Sequence, residues 1–393
     1  MGRLDCHARN WLAMTIKHWG KNMKIPYINL KAEHKALKKQ ILKEVAKVLD
    51  SANFILGPEV QEFEKNAAKY CGTKYAVGLN SGTDALFLAL KVLGVGPGDE
   101  VITAPNSFVA SASVIVAVGA VPVFVDVRDD MNINPDLIEE KITSKTKAIM
   151  PVNLTGKMCD MDRILSIAEK HNLYVVEDSA QSIGAEYRGK RAGSFGDVNC
   201  FSLHPLKTLN ACGDAGFITT NDEEIYTKLT KLRNIGMKNR NEVQYWGYNS
   251  RLDSIQAAII NLKFKKLDSW IKARRKIADY YRKNLRGLAE KGLIMLPSED
   301  KHEKPAYHTF IIQVDKRDEL QQYLLENGVE TKIHYPIPIH LQEAAKGLGY
   351  KEGDFPVIER QVKRILSLPV YQELTKKQQD YIITQIKGFF GPA

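Results

Sequence analysis

The sequence predicts an α/β fold, in which a large domain with a mainly parallel β-sheet precedes a smaller C-terminal α+β domain. Short apolar runs alternate with helical patterns through residue 220, which is typical of a parallel sheet covered by helices on both faces. Helical periodicity over residues 255–290 then indicates a long linking helix, and shorter strand and helix patterns follow it. We therefore expect an N-terminal extension at 1–25, a large domain at 26–260 and a small domain at 261–393.

The individual elements follow from hydrophobic spacing. Apolar residues recur at helical intervals between positions 37 and 48, with Lys and Glu between them, and a second helical pattern follows Gly57-Pro58. A further helix is predicted at 318–327 and an ordered loop at 335–340. Strands are predicted at 75–79, 100–103, 121–125, 148–152, 173–176, 198–202, 310–314 and 328–334.

Composition is that of an ordinary globular protein. Of the 393 residues, 44% are hydrophobic and 26% are charged, which argues against disordered, collagen-like and disulfide-scaffold classes. The five cysteines are scattered, odd in number and without a CxxC pair. We therefore expect neither a disulfide framework nor a zinc site, and a reducing cytoplasm fits best.

No membrane segment or signal peptide is expected. The longest apolar stretch, residues 108–125, is interrupted by two serines, a glycine and a proline, and predicts a buried helix followed by a strand. The first residues lack the apolar core of a signal peptide. Met23 opens the recognisable part of the chain, so residues 1–22 are interpreted as an upstream start or an extension.

The charge balance indicates an anionic partner. Lys and Arg number 56 and Asp and Glu number 46, which gives a formal net charge of +10. Basic residues concentrate at 263–286, but no known DNA-binding motif accompanies them. A solvated helix face with buried aliphatic stems is therefore favoured, and no nucleic-acid partner is expected.

A first candidate site is the polar turn at residues 80–83, which lies between a predicted strand and a helix. Such a turn presents backbone N–H groups and the positive end of a helix dipole, so it can hold a phosphate, with Thr83 adding a hydroxyl. The alternative is a capped helix without a ligand, in which Ser81 or Thr83 is the N-cap.

A second candidate site follows the predicted strand 173–176. Glu177, Asp178 and Gln181 come at its carboxyl end, where open α/β sheets bind ligands. Asp178 can cap a helix or, if buried, pair with a protonated heteroaromatic nitrogen, and Gln181 can bond a neighbouring oxygen. Glu177 is expected to point away from the site.

A third candidate site spans residues 201–216, FSLHPLKTLNACGDAG. Ser202 ends a strand, and Lys207 stands in a polar turn. A desolvated lysine has a lowered pKa and can bond covalently to a carbonyl carbon. His204 can polarise the site, although simple packing explains it equally well.

The three sites together match the needs of pyridoxal phosphate: an anchor for the phosphate, a partner for the ring nitrogen, and an amine. On this basis the chain resembles the DegT/DnrJ/EryC1/StrS family of sugar aminotransferases, which have the fold-type-I aspartate-aminotransferase architecture with a seven-stranded sheet. The matching motifs are FILGPEVQEFE (54–64), LNSGTDAL (79–86), GPGDEVI (96–102), VVEDSAQSIGA (175–185), FSLHPLKTL (201–209), GYNSRLDSIQAAI (247–259) and IHYPIPIHLQ (333–342).

The resemblance implies a role for each catalytic position. Lys207 corresponds to the lysine that bonds to the cofactor and later moves the proton during transamination. Asp178 corresponds to the partner that keeps the ring nitrogen protonated, and Gln181 to the residue that contacts the ring hydroxyl.

Phosphate and ring contacts are implied in the same way. Gly82, Thr83 and Asp84 match the family's phosphate-side turn, and Ser202 reaches the same phosphate. Phe108 lies where the family places an aromatic ring over the cofactor, although its residue type alone predicts a core position.

A second subunit is also implied. Asn249 resembles a residue that the family donates to the cofactor phosphate of the neighbouring subunit, which implies a homodimer with shared sites. Arg251 can steer a diphosphate or carboxylate, or form an interface ion pair. His334 and Tyr335 fall in a loop that lies near the sugar nucleotide in related enzymes, with ordinary packing as the alternative.

The implied reaction moves an amino group from glutamate or glutamine to a keto sugar nucleotide, for amino-sugar and surface polysaccharide biosynthesis. The Gly-Asp pair at 213–214 favours amination at carbon 3 of the sugar. Two departures stand out: Ala215 replaces a common glycine, and the 232–237 segment lacks a frequent His-Gly pair, so no substrate contact is assigned to that loop.

Two alternatives remain within this resemblance. One is a sugar dehydratase with the same cofactor, but such enzymes commonly carry histidine at the position of Lys207. The other is a non-catalytic sensor that binds the cofactor, because a fold does not fix a function.

Overall fold

The computed structural model describes residues 23–391. Most of the extension predicted for residues 1–25 therefore lies outside the described residues. Fourteen strands occur in the described range, and they are β1 (Tyr75–Leu79), β2 (Glu100–Thr103), β3 (Val121–Phe124), β4 (Thr146–Met150), β5 (Tyr174–Asp178), β6 (Glu186–Tyr187), β7 (Lys190–Arg191), β8 (Val198–Ser202), β9 (Gly216–Thr220), β10 (Met237–Asn239), β11 (Glu242–Val243), β12 (Glu303–Lys304), β13 (Phe310–Gln313) and β14 (Ile365–Leu368).

Seven strands form one central sheet in the order β1-β9-β8-β5-β4-β2-β3. The pairs from β8 to β3 are parallel, whereas β9 runs antiparallel to both of its neighbours, β1 and β8. The other sheets have two or three strands each, and one of them joins β13 to β14 antiparallel. The predicted α/β class with a mainly parallel sheet is confirmed.

Helices cover the sheet and build the C-terminal part of the chain. Their starts follow local chemistry: the Asn29 side chain accepts a hydrogen bond from the N–H of Ala32, and Pro58 occupies the first turn of its helix. The α-helices are α1 (Leu30–Ser51), α2 (Pro58–Cys71), α3 (Gly82–Val92), α4 (Ala110–Ala117), α5 (Met161–His171), α6 (Glu223–Leu232), α7 (Ser254–Phe264), α8 (Leu267–Glu290), α9 (Arg317–Glu326), α10 (Pro356–Gln361) and α11 (Lys376–Phe389). Within the described residues, none of the helices has the length and apolar character needed to cross a membrane.

Four sequence-based boundaries differ from the structure. The single linking helix predicted for 255–290 is divided into α7 and α8, because the N–H of Lys266 bonds to the Lys263 carbonyl in a tight turn. Strand β4 ends two residues earlier than predicted, directly before Pro151, which has no N–H to continue the ladder. The predicted strand at 328–334 is reduced to isolated bridges at Val329 and Lys332. Strand β9 was not predicted, because its five residues directly follow the glycine-rich turn.

Hydrophobic residues are buried on both faces of the central sheet. Neighbouring side chains of β5 join two different clusters: Val175 lies with α2 and α5, whereas Val176 lies with α3, α4 and α6. A third cluster in the C-terminal part includes Ile25 as well as residues of α8, α9 and α11. The division at residue 260 stays a prediction.

Phe63 offers a test of the first cluster. Its side chain is fully buried, and its ring meets Phe217 edge-on at a centroid distance of 5.3 Å. We expect Phe63→Ala to lower the free energy of unfolding by about 3–5 kcal/mol, because the change removes buried area and leaves a cavity. Urea unfolding measures this change.

Phe54→Ala is the matched control, since 43% of the Phe54 side chain is exposed. Its expected cost is below about 1 kcal/mol. Equal losses in the two variants would contradict the assignment of Phe63 to the core.

Candidate active site

The sheet order brings the three predicted sites together. The turn at 80–83 follows β1, Asp178 ends β5 and Ser202 ends β8, and these strands run in the same direction within four adjacent positions. The carboxyl ends of such strands meet at one edge of the sheet, where open α/β folds bind ligands. Lys207 lies five residues beyond the end of β8.

The turn after β1 is shaped by close backbone approach. A Cβ at Gly82 would lie 2.5 Å from the Cβ of Ser202, and one at Gly216 would lie 2.3 Å from the Ser81 carbonyl oxygen. Only glycine fits at both positions. The packed turn places Ser202 directly against the first residue of α3.

Ser81 caps α3, as the capped-helix alternative predicts. Its hydroxyl accepts a hydrogen bond from the Asp84 N–H at 3.0 Å. Thr83 is exposed and Asp84 is half-buried. Capping does not exclude an anion, because N–H groups in the first turn of a helix have no partner within the helix.

Asp178 is buried, with 3% of its surface exposed. One carboxylate oxygen accepts from the Ala180 N–H at 3.1 Å, and the other from the Ser111 hydroxyl at 2.9 Å. Ser107 lies 3.0 Å from Ser111, which extends the chain of hydroxyls. Burial raises the pKa of Asp178, while these hydrogen bonds and the charge of Lys207 oppose the rise.

Glu177 faces a different part of the molecule. Its carboxylate is fully buried and accepts hydrogen bonds from the Gly193 N–H at 2.8 Å and the Phe195 N–H at 3.1 Å. The residue therefore holds the 193–195 loop, in keeping with the expectation that it points away from the site.

Lys207 is half-buried in a defined turn. Its N–H donates to the His204 carbonyl at 2.8 Å. Desolvation lowers the pKa of Lys207 to about 8, although attraction to Asp178 acts in the opposite direction. The amine is therefore neutral in mildly alkaline solution and can act as a nucleophile. His204 itself is exposed, and its Nδ1 accepts from the Leu206 N–H at 3.3 Å.

Gln181 joins two walls of the site. Its Oε1 accepts from the Thr155 N–H at 2.9 Å, and its Nε2 donates to the Tyr335 hydroxyl at 3.4 Å. The ring of Tyr335 lies 5.9 Å from that of Phe108, measured between centroids. Phe108 is 55% exposed, so it is not the core residue that its type alone predicts.

Two imidazoles border Lys207. The Nδ1 atom of His334 lies 2.8 Å from the Ser367 hydroxyl, and burial with the nearby charges of Lys207 and Lys332 lowers the pKa of His334 to about 4. Burial also lowers the pKa of His308, and the charge of Lys207 contributes to that shift. Nδ1 of His308 has no hydrogen-bond partner among the described residues. Both rings are therefore neutral at physiological pH.

The remaining predicted residues lie on the segment before α7. Asn249 is exposed and forms a backbone bridge with Asn234, and Arg251 donates to the Asn234 side chain at 3.2 Å. The Ser250 hydroxyl donates to Asn80 at 3.2 Å, so this segment reaches the turn after β1.

Sequence reasoning missed Ser107, Ser111, Thr155 and His308. Ser111 lies in the apolar stretch that was interpreted only as a helix and a strand, and Ser107 directly precedes that stretch. Thr155 has a left-handed backbone, with φ +63°, and follows β4 without a recognisable motif. His308 precedes a predicted strand, and no spacing relates it to Lys207.

The fold, with Asp178 and Lys207 near one edge of the sheet, defines an α/β protein of the fold-type-I aspartate-aminotransferase class. Residues 35–387 match the sequence profile of the DegT/DnrJ/EryC1/StrS aminotransferase family. The chain belongs to this family.

Two curated relatives match nearly the whole chain. A pleiotropic regulatory protein of Geobacillus stearothermophilus is 43% identical over 369 residues, which cover 94% of this chain and 99% of the relative. A dTDP-3-amino-3,4,6-trideoxy-alpha-D-glucose transaminase of Streptomyces venezuelae is 40% identical, over 93% of this chain and 96% of the relative.

Solved structures agree with the fold. The crystal structure of S. venezuelae DesV in complex with a ketimine intermediate has a TM-score of 0.92 and 40% identity, and the match covers 95% of this chain and all of that chain. The PLP-form of the putative sugar aminotransferase Spr1654 from Streptococcus pneumoniae has a TM-score of 0.84 and 31% identity, over 88% of this chain and 95% of that one.

The lowered pKa of Lys207 is directly testable. Trace acetylation of the protein between about pH 6 and about pH 11, with peptide mass spectrometry, reports the neutral fraction of each amine. We expect Lys207 to be half-maximally reactive near pH 8, whereas exposed lysines titrate near about 10.4.

Asp178→Asn is the informative variant. Because the charge of Asp178 raises the pKa of Lys207, its loss is expected to move the Lys207 titration to still lower pH. A midpoint for Lys207 equal to that of exposed lysines would contradict its desolvation.

Proposed function

We propose that this protein is a pyridoxal-phosphate-dependent aminotransferase, which moves an amino group from glutamate or glutamine to carbon 3 of a keto sugar nucleotide. The observation that carries the proposal is the desolvated Lys207 amine near the buried Asp178 carboxylate. Both lie at the edge of the sheet where the Gly82 turn packs against Ser202. The family membership and the similar sugar transaminase support the reaction class and the position on the sugar.

The residues at the sheet edge fit the cofactor. The turn at Gly82, Thr83 and Asp84, with the adjacent Ser202 hydroxyl, offers donors for a phosphate. Asp178 is a buried carboxylate that gains from a cationic partner such as a protonated ring nitrogen. The exposed ring of Phe108 is free to cover a planar group. When bound, pyridoxal phosphate withdraws electrons from the carbon that loses a proton.

Lys207 would perform two tasks. Its neutral Nζ would hold the cofactor covalently, and once released it would take a proton from one carbon and return it to another. A pKa of about 8 suits both tasks, because the amine is available as a base near neutral pH. Asp178 would hold the ring-nitrogen proton, and the Nε2 of Gln181 would donate to the ring hydroxyl.

Substrate contacts are assigned to residues that surround this group. His334 and Tyr335 belong to the loop opposite Phe108, and the neutral imidazole and phenol suit hydrogen bonds to sugar hydroxyls. His204 and Arg251 are proposed to contact the substrate as well, with Arg251 suited to a diphosphate or carboxylate. The net charge of +10 favours an anionic substrate.

We also propose a homodimer in which Asn249 reaches the cofactor phosphate of the partner subunit. The exposed position of Asn249 is compatible with this role. A cytoplasmic location and a place in surface polysaccharide biosynthesis stay predictions.

The first half-reaction tests the proposal. Purified protein loaded with pyridoxal phosphate is expected to change its absorption spectrum on addition of glutamate or glutamine, as the amino group passes to the cofactor. Lys207→Ala is expected to abolish the change, since no other amine occupies that position. Lys346→Ala, which alters an exposed lysine, serves as the control.

A spectrum that neither donor changes would favour the dehydratase or the sensor, and the regulatory name of one relative gives the sensor a specific basis. Failure to bind pyridoxal phosphate would overturn the site assignment.

Gly82→Ala tests the phosphate cradle. The added methyl group would lie 2.5 Å from the Ser202 Cβ, so the turn must shift. We expect the affinity for pyridoxal phosphate to fall by at least about 10-fold, because a phosphate contact is charge-assisted. Fluorescence titration of cofactor-free protein measures the affinity.

Gly287→Ala is the matched control, because a Cβ there has no neighbour within 4 Å and the residue lies in α8. It is expected to bind the cofactor as the unchanged protein does. Unaltered affinity in Gly82→Ala would contradict the cradle.

A further inference from the structure

A buried ion pair lies behind the turn that carries Lys207. Lys263 of α7 is completely buried, and its Nζ lies 3.0 Å from Oε1 of Glu33 in α1, which is 4% exposed. Burying two charges costs several kcal/mol per ion before their attraction is counted. A buried ion pair is therefore weak evidence that these residues stabilise the fold. Its location next to the turn of Lys207 indicates a different role.

Asn210 connects this ion pair to Lys207. Its Oδ1 accepts from the Lys263 Nζ at 2.5 Å, and its Nδ2 donates to the Lys207 carbonyl at 3.1 Å and to Oε2 of Glu33 at 3.4 Å. Asn210 is 1% exposed. All of its side-chain hydrogen-bonding groups are therefore engaged by Lys263, Glu33 and Lys207.

The charges also fix which way the amide points. A lysine ammonium can only donate, so the amide oxygen must face Lys263. The NH₂ group must then face the Lys207 carbonyl and Glu33. The Lys207 carbonyl and the Glu33 carboxylate can only accept, so they require the same orientation of the amide.

The backbone of Lys207 is consequently held on both sides. Its N–H donates to the His204 carbonyl at 2.8 Å, and its carbonyl accepts from Asn210. The Ala211 N–H closes the turn on the Leu203 carbonyl at 2.8 Å. Among the described residues the Lys207 side chain makes no hydrogen bond, while its backbone is bonded on both sides, which suits a residue that both bonds and transfers protons.

We propose that Lys263, Glu33 and Asn210 form a positioning clamp for Lys207, in which Lys263 and Glu33 together orient Asn210. The clamp acts through the backbone of Lys207 and does not touch substrate or cofactor. The inference rests on the proposed function only in so far as Lys207 is the reacting amine.

Asn210→Ala is the primary test, because it removes the hydrogen bond to Lys207 and leaves the pair of Lys263 and Glu33 in place. We expect amide hydrogen exchange in peptides covering 203–211 to accelerate by about 10-fold or more, with and without pyridoxal phosphate. We expect kcat to fall by about 10-fold with the KM of both substrates within about twofold, since positioning rather than binding is lost.

Asn261→Ala is the matched control. Asn261 is also a buried asparagine, lies on α7, and donates to a backbone carbonyl, that of Glu59, at 2.9 Å. The Asn261→Ala variant therefore loses the same kind of hydrogen bond as Asn210→Ala, but at a site that does not contact Lys207. Exchange in 203–211 and kcat are expected to stay within about twofold of the unchanged protein.

The double variant Glu33→Gln/Lys263→Met guards against a folding defect, because it removes both charges and leaves no unpaired ion. It is expected to accelerate exchange in the same peptides. Unchanged exchange and kcat in both clamp variants would overturn the inference, as would equal effects of Asn261→Ala.

The exchange measurement separates this inference from the proposed function. A protein without transaminase activity that still shows the exchange effect would keep the clamp and lose the function. Active protein in which no variant alters the exchange would keep the proposed function and lose the clamp.

Discussion

Removal of water from the Lys207 amine is the constraint on which the rest of the site depends. Desolvation lowers the pKa of Lys207 to about 8, and Asp178 alone among its described neighbours opposes this shift. Burial also keeps the imidazoles of His308 and His334 neutral, so neither ring adds a positive charge near Lys207. A lysine amine with its ordinary, higher pKa would be protonated at neutral pH, and a protonated amine cannot bond to carbon.

Glu177 and Asp178 are consecutive residues of β5, yet their carboxylates have different surroundings. Side chains of neighbouring residues in a strand point to opposite faces. Asp178 thus meets Ser111 and the charge of Lys207, whereas Glu177 holds the N–H groups of Gly193 and Phe195. The same period-two geometry that buries Val175 and Val176 in different clusters separates the carboxylate near Lys207 from the carboxylate that holds the 193–195 loop.

The sequence predicted what depends on local pattern and missed what depends on distant contact. Asp178 and Ser202 were found because each ends an apolar run, and the turn at Gly82 because it joins a strand to a helix. Ser111 and His308 carry no motif, and only the packing of separate segments brings them to the site. The break at Lys266 was missed because helical periodicity continues across it. Asn210 stood within a recognised motif, yet its link to Lys263 spans 53 residues.

The C-terminal part of the chain returns to the first hydrophobic cluster. Ile339, Phe355 and Ile358 pack there, and the Asp126 carboxylate accepts from the N–H groups of Val357 and Ile358 at 2.8 Å and 3.1 Å. Truncation before residue 339 would therefore expose part of the sheet's own covering. The region before α8 therefore lacks part of the first cluster, which is complete only after the chain has been synthesised through Val362.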